Sequence, residues 1–349
     1  MKKLVCLFTA MLVVFAPIRV EAWGQEGHEV VGAVAEAMLS DVAKTGVHSI
    51  LAAGDTLSSV ANWADQVRFS THKESYNWHF VDIPRAKLGF DDARDCFLPQ
   101  DTHPGAATDH MNCVVDRITS FKQILADKNA DPTARLEALK FIVHFVGDVH
   151  QPFHAIGEGR GANDNLITEF GSAQCGTKPC NLHSAWDTGM IEHAGMDTNT
   201  YVQHIQGLIT ANHITASGIP ADWANESHAA GNAAWIDNGG VLDDTYYNAQ
   251  IQVVDQRLAL ASVRLAALLE DVFGTQNPPP PPPTQTAVAT HNVNLRPDAS
   301  TTNPPLETIQ KGATVTLLDA NKTNGYYHVK AADGKEGWVY GRYVKLQTN

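Results

Sequence analysis

Six consecutive prolines set the first limit on how this chain can fold. In NPPPPPPTQT, residues 277–286, each proline ring fixes φ near −65° and removes a backbone donor. The run is therefore a stiff polyproline spacer that neither a helix interior nor a sheet can absorb. The 349 residues are expected to fold as two units, 23–276 and 287–349, on either side of it. Residues 1–22 stand apart from both. A basic MKK start, the apolar run LVCLFTAMLVVFAPI and the small-x-small VEA before Trp23 read as a signal peptide. Cleavage there would give a secreted or periplasmic protein beginning at Trp23. No later apolar stretch reaches the roughly 18 residues of a membrane span.

Upstream of the prolines the pattern is helical. GHEVVGAVAEAML places Val31, Val34, Ala35 and Met38 on one face. DPTARLEALKFIVHFVGD opens with Asp131 as helix cap and Pro132 at the first helical position. A third run, from about Tyr246 to Phe273, closes at Gly274. Strand signals are sparse, so a mainly α domain is expected. Downstream, short alternating segments broken by NG and DG turns indicate a small all-β barrel. Through NVNLRPDAS and GWVYGRYVKL this tail resembles the bacterial SH3-like domain, whose exported members often bind cell-wall peptide or glycan.

Removing residues 1–22 takes away Lys2, Lys3, Arg19 and Glu21, so the formal charge falls from −13 to −15. Such an acidic chain is a poor sleeve for duplex DNA, whose phosphates draw on Lys and Arg. Any nucleic-acid role needs another source of positive charge. Four cysteines remain after the leader, Cys96, Cys113, Cys175 and Cys180. An even count in an exported chain points to disulfides. Of three possible connectivities, neighbour pairing, Cys96–Cys113 and Cys175–Cys180, is the expectation. Their spacing does not match the paired C-x2-C knuckles of a zinc site.

The chemistry concentrates in HFVGDVHQPFH, 144–154. His144 and Asp148 are four apart, on one helix face, and His183 and Asp187 in NLHSAWD repeat the spacing. Two such pairs in a helical protein suggest helices presenting ligands into a shared cleft. Imidazole and carboxylate without thiolate suit zinc best.

With WGQEGH, WADQVR, NWHFVDIP and GRGAN, these motifs closely resemble the zinc-dependent single-strand nucleases of fungi and plants, the nuclease S-one, nuclease P-one and mung bean nuclease family. The resemblance implies an all-helical fold shared with zinc phospholipase C and three zinc ions per chain. One would be held by Asp65, His79, His144 and Asp148. A second would be held by the α-amine and carbonyl of Trp23 with His28 and the bridging Asp148, and a third by His154, His183 and Asp187. It implies hydrolysis of single-stranded DNA and RNA by a metal-activated water at the P–O3′ bond, leaving 5′-phosphates, and removal of the 3′-phosphate from 3′-mononucleotides. In that scheme Asp65 is a ligand that could also orient the attacking water, and Arg68 would stabilise the transition state. Phe80, Asp82 and Asn163 would form a base pocket, with Arg85 at a phosphate. Ala162 stands where a second glycine is expected, a substitution that fits if its φ stays negative. His150 has no ligand counterpart and is expected beside the centre or on the surface. His103 and His110 lie in a stretch that the motifs do not read. A monomer is expected. The alternatives are a zinc phospholipase C of the same fold, and a cell-wall-binding or peptidoglycan-directed protein in which the tail is primary.

Overall fold

The computed structural model describes residues 23–96, 112–274, 286–323 and 325–347. The leader, the proline run, His103 and His110 lie outside the described residues. The chain divides into two compact units between Thr275 and Gln276, each with its own hydrophobic core.

The first unit is built from helices. The principal ones are α1 (Gly24–Met38), α2 (Trp63–Val67), α3 (Val114–Ala126), α4 (Pro132–Asp148), α5 (Leu182–Ser184), α6 (Thr198–Ala211), α7 (Pro220–Ala233) and α8 (Asp244–Phe273). Asp131 caps α4 through the backbone N–H groups of Thr133 and Ala134, with Pro132 in its first turn. A proline there loses no intrahelical bond. From Leu139 onward almost every α4 side chain is buried. A helix apolar on all sides can only be a central one, and α1, α3 and α8 pack around it. In α1, Val31, Val34 and Ala35 face the core, whereas Met38 in its last turn is 43% exposed. α8 runs two residues earlier than its apolar pattern suggests, because Asp243 caps it at Tyr246 N.

Strand structure in this unit is confined, among the described residues, to two-residue ladders: Thr168–Glu169 parallel to Val241–Leu242, and Gln174–Cys175 antiparallel to Lys178–Pro179. Disulfides join Cys96 to Cys113 and Cys175 to Cys180. No helix among the described residues is long and apolar enough to cross a membrane.

The second unit is all β: β1 (Thr286–Ala289), β2 (Val293–Leu295), β3 (Glu307–Ile309), β4 (Thr314–Thr323), β5 (Tyr326–Lys330), β6 (Glu336–Tyr340) and β7 (Val344–Leu346). Five strands form an antiparallel sheet in the order β6-β5-β4-β1-β7, and β2 pairs with β3. A bridge from Arg296 to Trp338 ties the two sheets together. The expected turns fall at Gly325 and Gly334, both with positive φ.

Candidate metal centre

His144 and Asp148 are polar side chains in the fully buried half of α4. α1 lies against them. Trp23, just before α1, is buried and donates its indole N–H to Gly147 O at 2.9 Å. One turn into α1, the His28 ring stacks on His144 with centroids 3.9 Å apart. Gly147 permits that approach, since a Cβ there would stand 2.7 Å from His28 Nδ1.

Other elements bring the remaining donors to the same place. α2 supplies Asp65, and a 3-10 turn at Lys73–His79 supplies His79. A second 3-10 turn at Pro152–Ala155 carries His154. His183 lies in α5, and Asp187 in the π-helical turn Ala185–Gly189 that follows. Three groups result, each with donor atoms within 4.8 Å of one another: Asp65, His79 and His144; His28, His144 and Asp148; His154, His183 and Asp187. Asp148 joins them. Its carboxylate is 3.0 Å from His79 Nδ1, 3.2 Å from His144 Nε2, 3.5 Å from His28 Nε2 and 3.4 Å from His154 Nδ1.

Backbone carbonyls fix the imidazoles. His144 Nδ1 donates to Ala61 O (2.7 Å), His154 Nδ1 to His79 O (2.8 Å) and His183 Nδ1 to Gly161 O (2.6 Å). A carbonyl can only accept, so Nδ1 carries a proton in each ring, and in the neutral imidazole the Nε2 lone pair is then left as a donor. This is how metal-ligating histidines are usually oriented.

The electrostatics point the same way. Burial pushes His28 and His79 down to about 4, and His183 to about 3, so these rings are neutral near pH 7. Burial also opposes charge on His144, but Asp148 and Asp65 outweigh it and push this ring up to about 9. Burial drives Asp187 well above the carboxylate range despite its bond from Gln151, and Asp148 and Asp65 add to the rise. Against burial, His144 holds the Asp148 carboxyl low, and Arg68 and His144 hold Asp65 low, so these two carboxylates are offset by the protein's own cations. Buried atoms without a hydrogen-bond partner also gather there: both ring nitrogens of His28, His79 Nε2, Asp65 Oδ2, Asp148 Oδ1 and Asp187 Oδ2. Orphaned polar atoms in a dry interior are rare and costly. A donor set of imidazoles and carboxylates without thiolate fits divalent cations of the zinc type.

Arg68 lies at the edge, 3.0 Å from Asp65. Phe80 and Asp82 are half-buried on the extended segment after His79. Arg85 lies further along, its guanidinium 3.9 Å over the Trp235 ring and its Nε bonded to Asn232. Asn163 turns its amide back onto Arg160 O at 2.8 Å. The condition set on Ala162, a negative φ, is not met: φ is +66°, and Gly159, Arg160 and Gly161 are left-handed too. In this conformation the turn presents Gly161 O to His183 Nδ1. His150 is not at the surface. It is fully buried, bonds Val146 O through Nδ1, and accepts from Arg264 at Nε2.

Sequence reasoning missed Gln151, which is fully buried and donates to Asp187 Oδ1 at 2.5 Å. An amide inside the HQPFH run carries no charge that would have marked it. It also missed Arg257, whose Nε bonds His150 O just past the end of α4.

Residues 23–274 match the family described as S1/P1 Nuclease, and residues 291–345 match the Bacterial SH3 domain. Endonuclease 2 of Arabidopsis thaliana is 30% identical over 77% of this chain and 96% of its own length. Nuclease P1 of Penicillium citrinum is 28% identical, covering 73% and 99% of the two chains. Nuclease S1 of Aspergillus oryzae is also 28% identical, covering 71% and 91%.

Proposed function

The chain belongs to the S1/P1 nuclease family, and we propose that it is a zinc-dependent, single-strand-specific endonuclease that also removes the 3′-phosphate of 3′-mononucleotides. The reading is carried by the convergence of buried His and Asp atoms, three of the rings held at Nδ1 by backbone carbonyls so that Nε2 is the nitrogen left for a cation. Asp65, His79, His144 and Asp148 would hold one ion. Trp23, through the amine and carbonyl of a mature terminus, would hold a second with His28 and Asp148. His154, His183 and Asp187 would hold a third. Bound there, divalent ions supply Lewis acidity to the phosphate and lower the pKa of water at neutral pH.

The chain's own residues do the rest. The carbonyls of Ala61, His79 and Gly161 keep three imidazoles in the donating tautomer. Arg68, braced on Asp65, brings a fixed cation to charge that develops on the phosphate oxygens. Phe80 would stack on a nucleobase while Asp82 accepts from its edge, with Asn163 closing the pocket. A base must leave its own stack to meet that ring, which selects single strands without reading a groove. Because one ligand would be an α-amine, removal of residues 1–22 and completion of the centre would coincide, giving activity only after export.

The test is elemental analysis of the mature protein alongside hydrolysis of single-stranded DNA, RNA and a 3′-mononucleotide. Three zinc ions per chain with all three activities are expected. One ion or none in active material would overturn the reading.

A further inference from the structure

The second unit carries a surface that hydrolysis does not use. Four rings run in a row: Tyr326 on β5, Tyr340 at the end of β6, Tyr343 in the 3-10 turn before β7, and His291 between β1 and β2. Successive ring centroids are 5.0, 5.9 and 5.6 Å apart. Tyr326 is buried as the foot of the row, while Tyr340 and Tyr343 are each 39% exposed.

Charge is arranged around this row. In residues 286–349, Lys and Arg outnumber Asp and Glu by seven to five, in a chain whose total is −13. The described acids are engaged elsewhere. Glu307 and Asp333 both bind Lys335, Glu336 binds Lys330, and Asp298 accepts from Ser300 and Asn303. The cations next to the ring residues in sequence, and Lys322 on β4, are not so engaged. Arg342 lies between Tyr340 and Tyr343, Lys345 follows, and Lys322 lies with its ammonium 4.9 Å from the Tyr327 ring. All three are exposed, and none forms an ion pair among the described side chains.

Exposed rings with flanking cations match what binds single strands without sequence preference: bases stack on the rings and phosphates meet the cations. We propose that this ledge is a single-strand nucleic-acid tether serving the catalytic unit. The choice of occupant rests on the nuclease reading and on charge complementarity. A polyanion is repelled by the acidic bulk of the chain and attracted to its one basic unit. A strand held there is kept at high effective concentration for a catalytic unit on the same chain.

The experiment uses the full mature chain with EDTA added to stop hydrolysis, and reads anisotropy of a labelled oligo(dT). Tyr340→Ala with Tyr343→Ala should weaken binding at least about 10-fold, because two stacking faces are removed. Arg342→Gln with Lys345→Gln should flatten the salt slope by about 1.4, at roughly 0.7 for each phosphate no longer neutralised. Unchanged binding in both double variants overturns the tether. So does a wild-type chain that sediments with purified peptidoglycan but leaves the oligonucleotide free. Loss of strand cleavage in zinc strikes the nuclease reading instead, because the anisotropy is read with the metals chelated.

Discussion

The amide of Gln151 spans two of the proposed ion sites. Its backbone N–H returns to Asp148 O, and its side chain donates to Asp187 while accepting from Phe153 N. It touches no candidate ion, yet it sets where the Asp187 carboxylate points. Removing such a partner typically weakens a metal site 10- to 100-fold. Gln151→Ala should therefore lose about one zinc per chain under chelator competition and keep the other two. Unaltered retention of all three would show that packing alone holds Asp187. His144, Asp148, His183 and Asp187 were legible because histidines and carboxylates are out of place in apolar runs and recur at helical spacing, whereas the other ligand candidates, Trp23 among them, came from the family resemblance. Gln151 was not, because an amide carries no charge to contradict its surroundings. Ala61, whose carbonyl orients His144, could not be singled out at all, since every residue has a carbonyl.

The turn at 159–162 is the element whose backbone departs most from the expected pattern. Four successive residues are left-handed, two of them, Arg160 and Ala162, bearing side chains. Such a conformation costs an L-residue roughly 1–2 kcal/mol, and strain of this kind collects where geometry serves a site. Ala162→Gly should stabilise the fold by about 0.5–1 kcal/mol after glycine's extra chain entropy is counted. Calorimetry should see a rise of about 1–3 °C in Tm, and a fall would mean that the Ala162 methyl packing outweighs the strain. Glu169, in the short ladder beyond this turn, makes a pH prediction. Burial, then the charge of Glu192, push it up to about 7. Between the ordinary glutamate range near 4.3 and that value, the folded chain holds a proton that the unfolded chain has released. Stability therefore declines as pH rises through this window. Glu169→Gln should remove that decline, raising Tm at pH 8 and leaving it unchanged at pH 4. An equal shift at both values would point to a packing effect instead.

Across the full chain, two cores on either side of the proline run imply two cooperative units. Calorimetry of the mature protein should resolve two transitions, and a chelator should lower only the one belonging to residues 23–274, since ligands stabilise only the unit that binds them. A single transition shifted as one by chelator would show that the units unfold together.

Local rules were enough to foresee the helical and β character of the two halves, and they motivate the expected division at the prolines and the residue types of the candidate centre. Those rules are proline geometry, the periodicity of apolar residues, and the unlikelihood of unpaired charge in a core. Other features emerged only once the chain was folded. His28 can lie flat on His144 because position 147 lacks a side chain, Gly161 offers its carbonyl from a left-handed turn, and Asp148 reaches four imidazoles at once. Each of those facts depends on the approach of segments far apart in the chain. Pattern within a segment does not encode distance between segments.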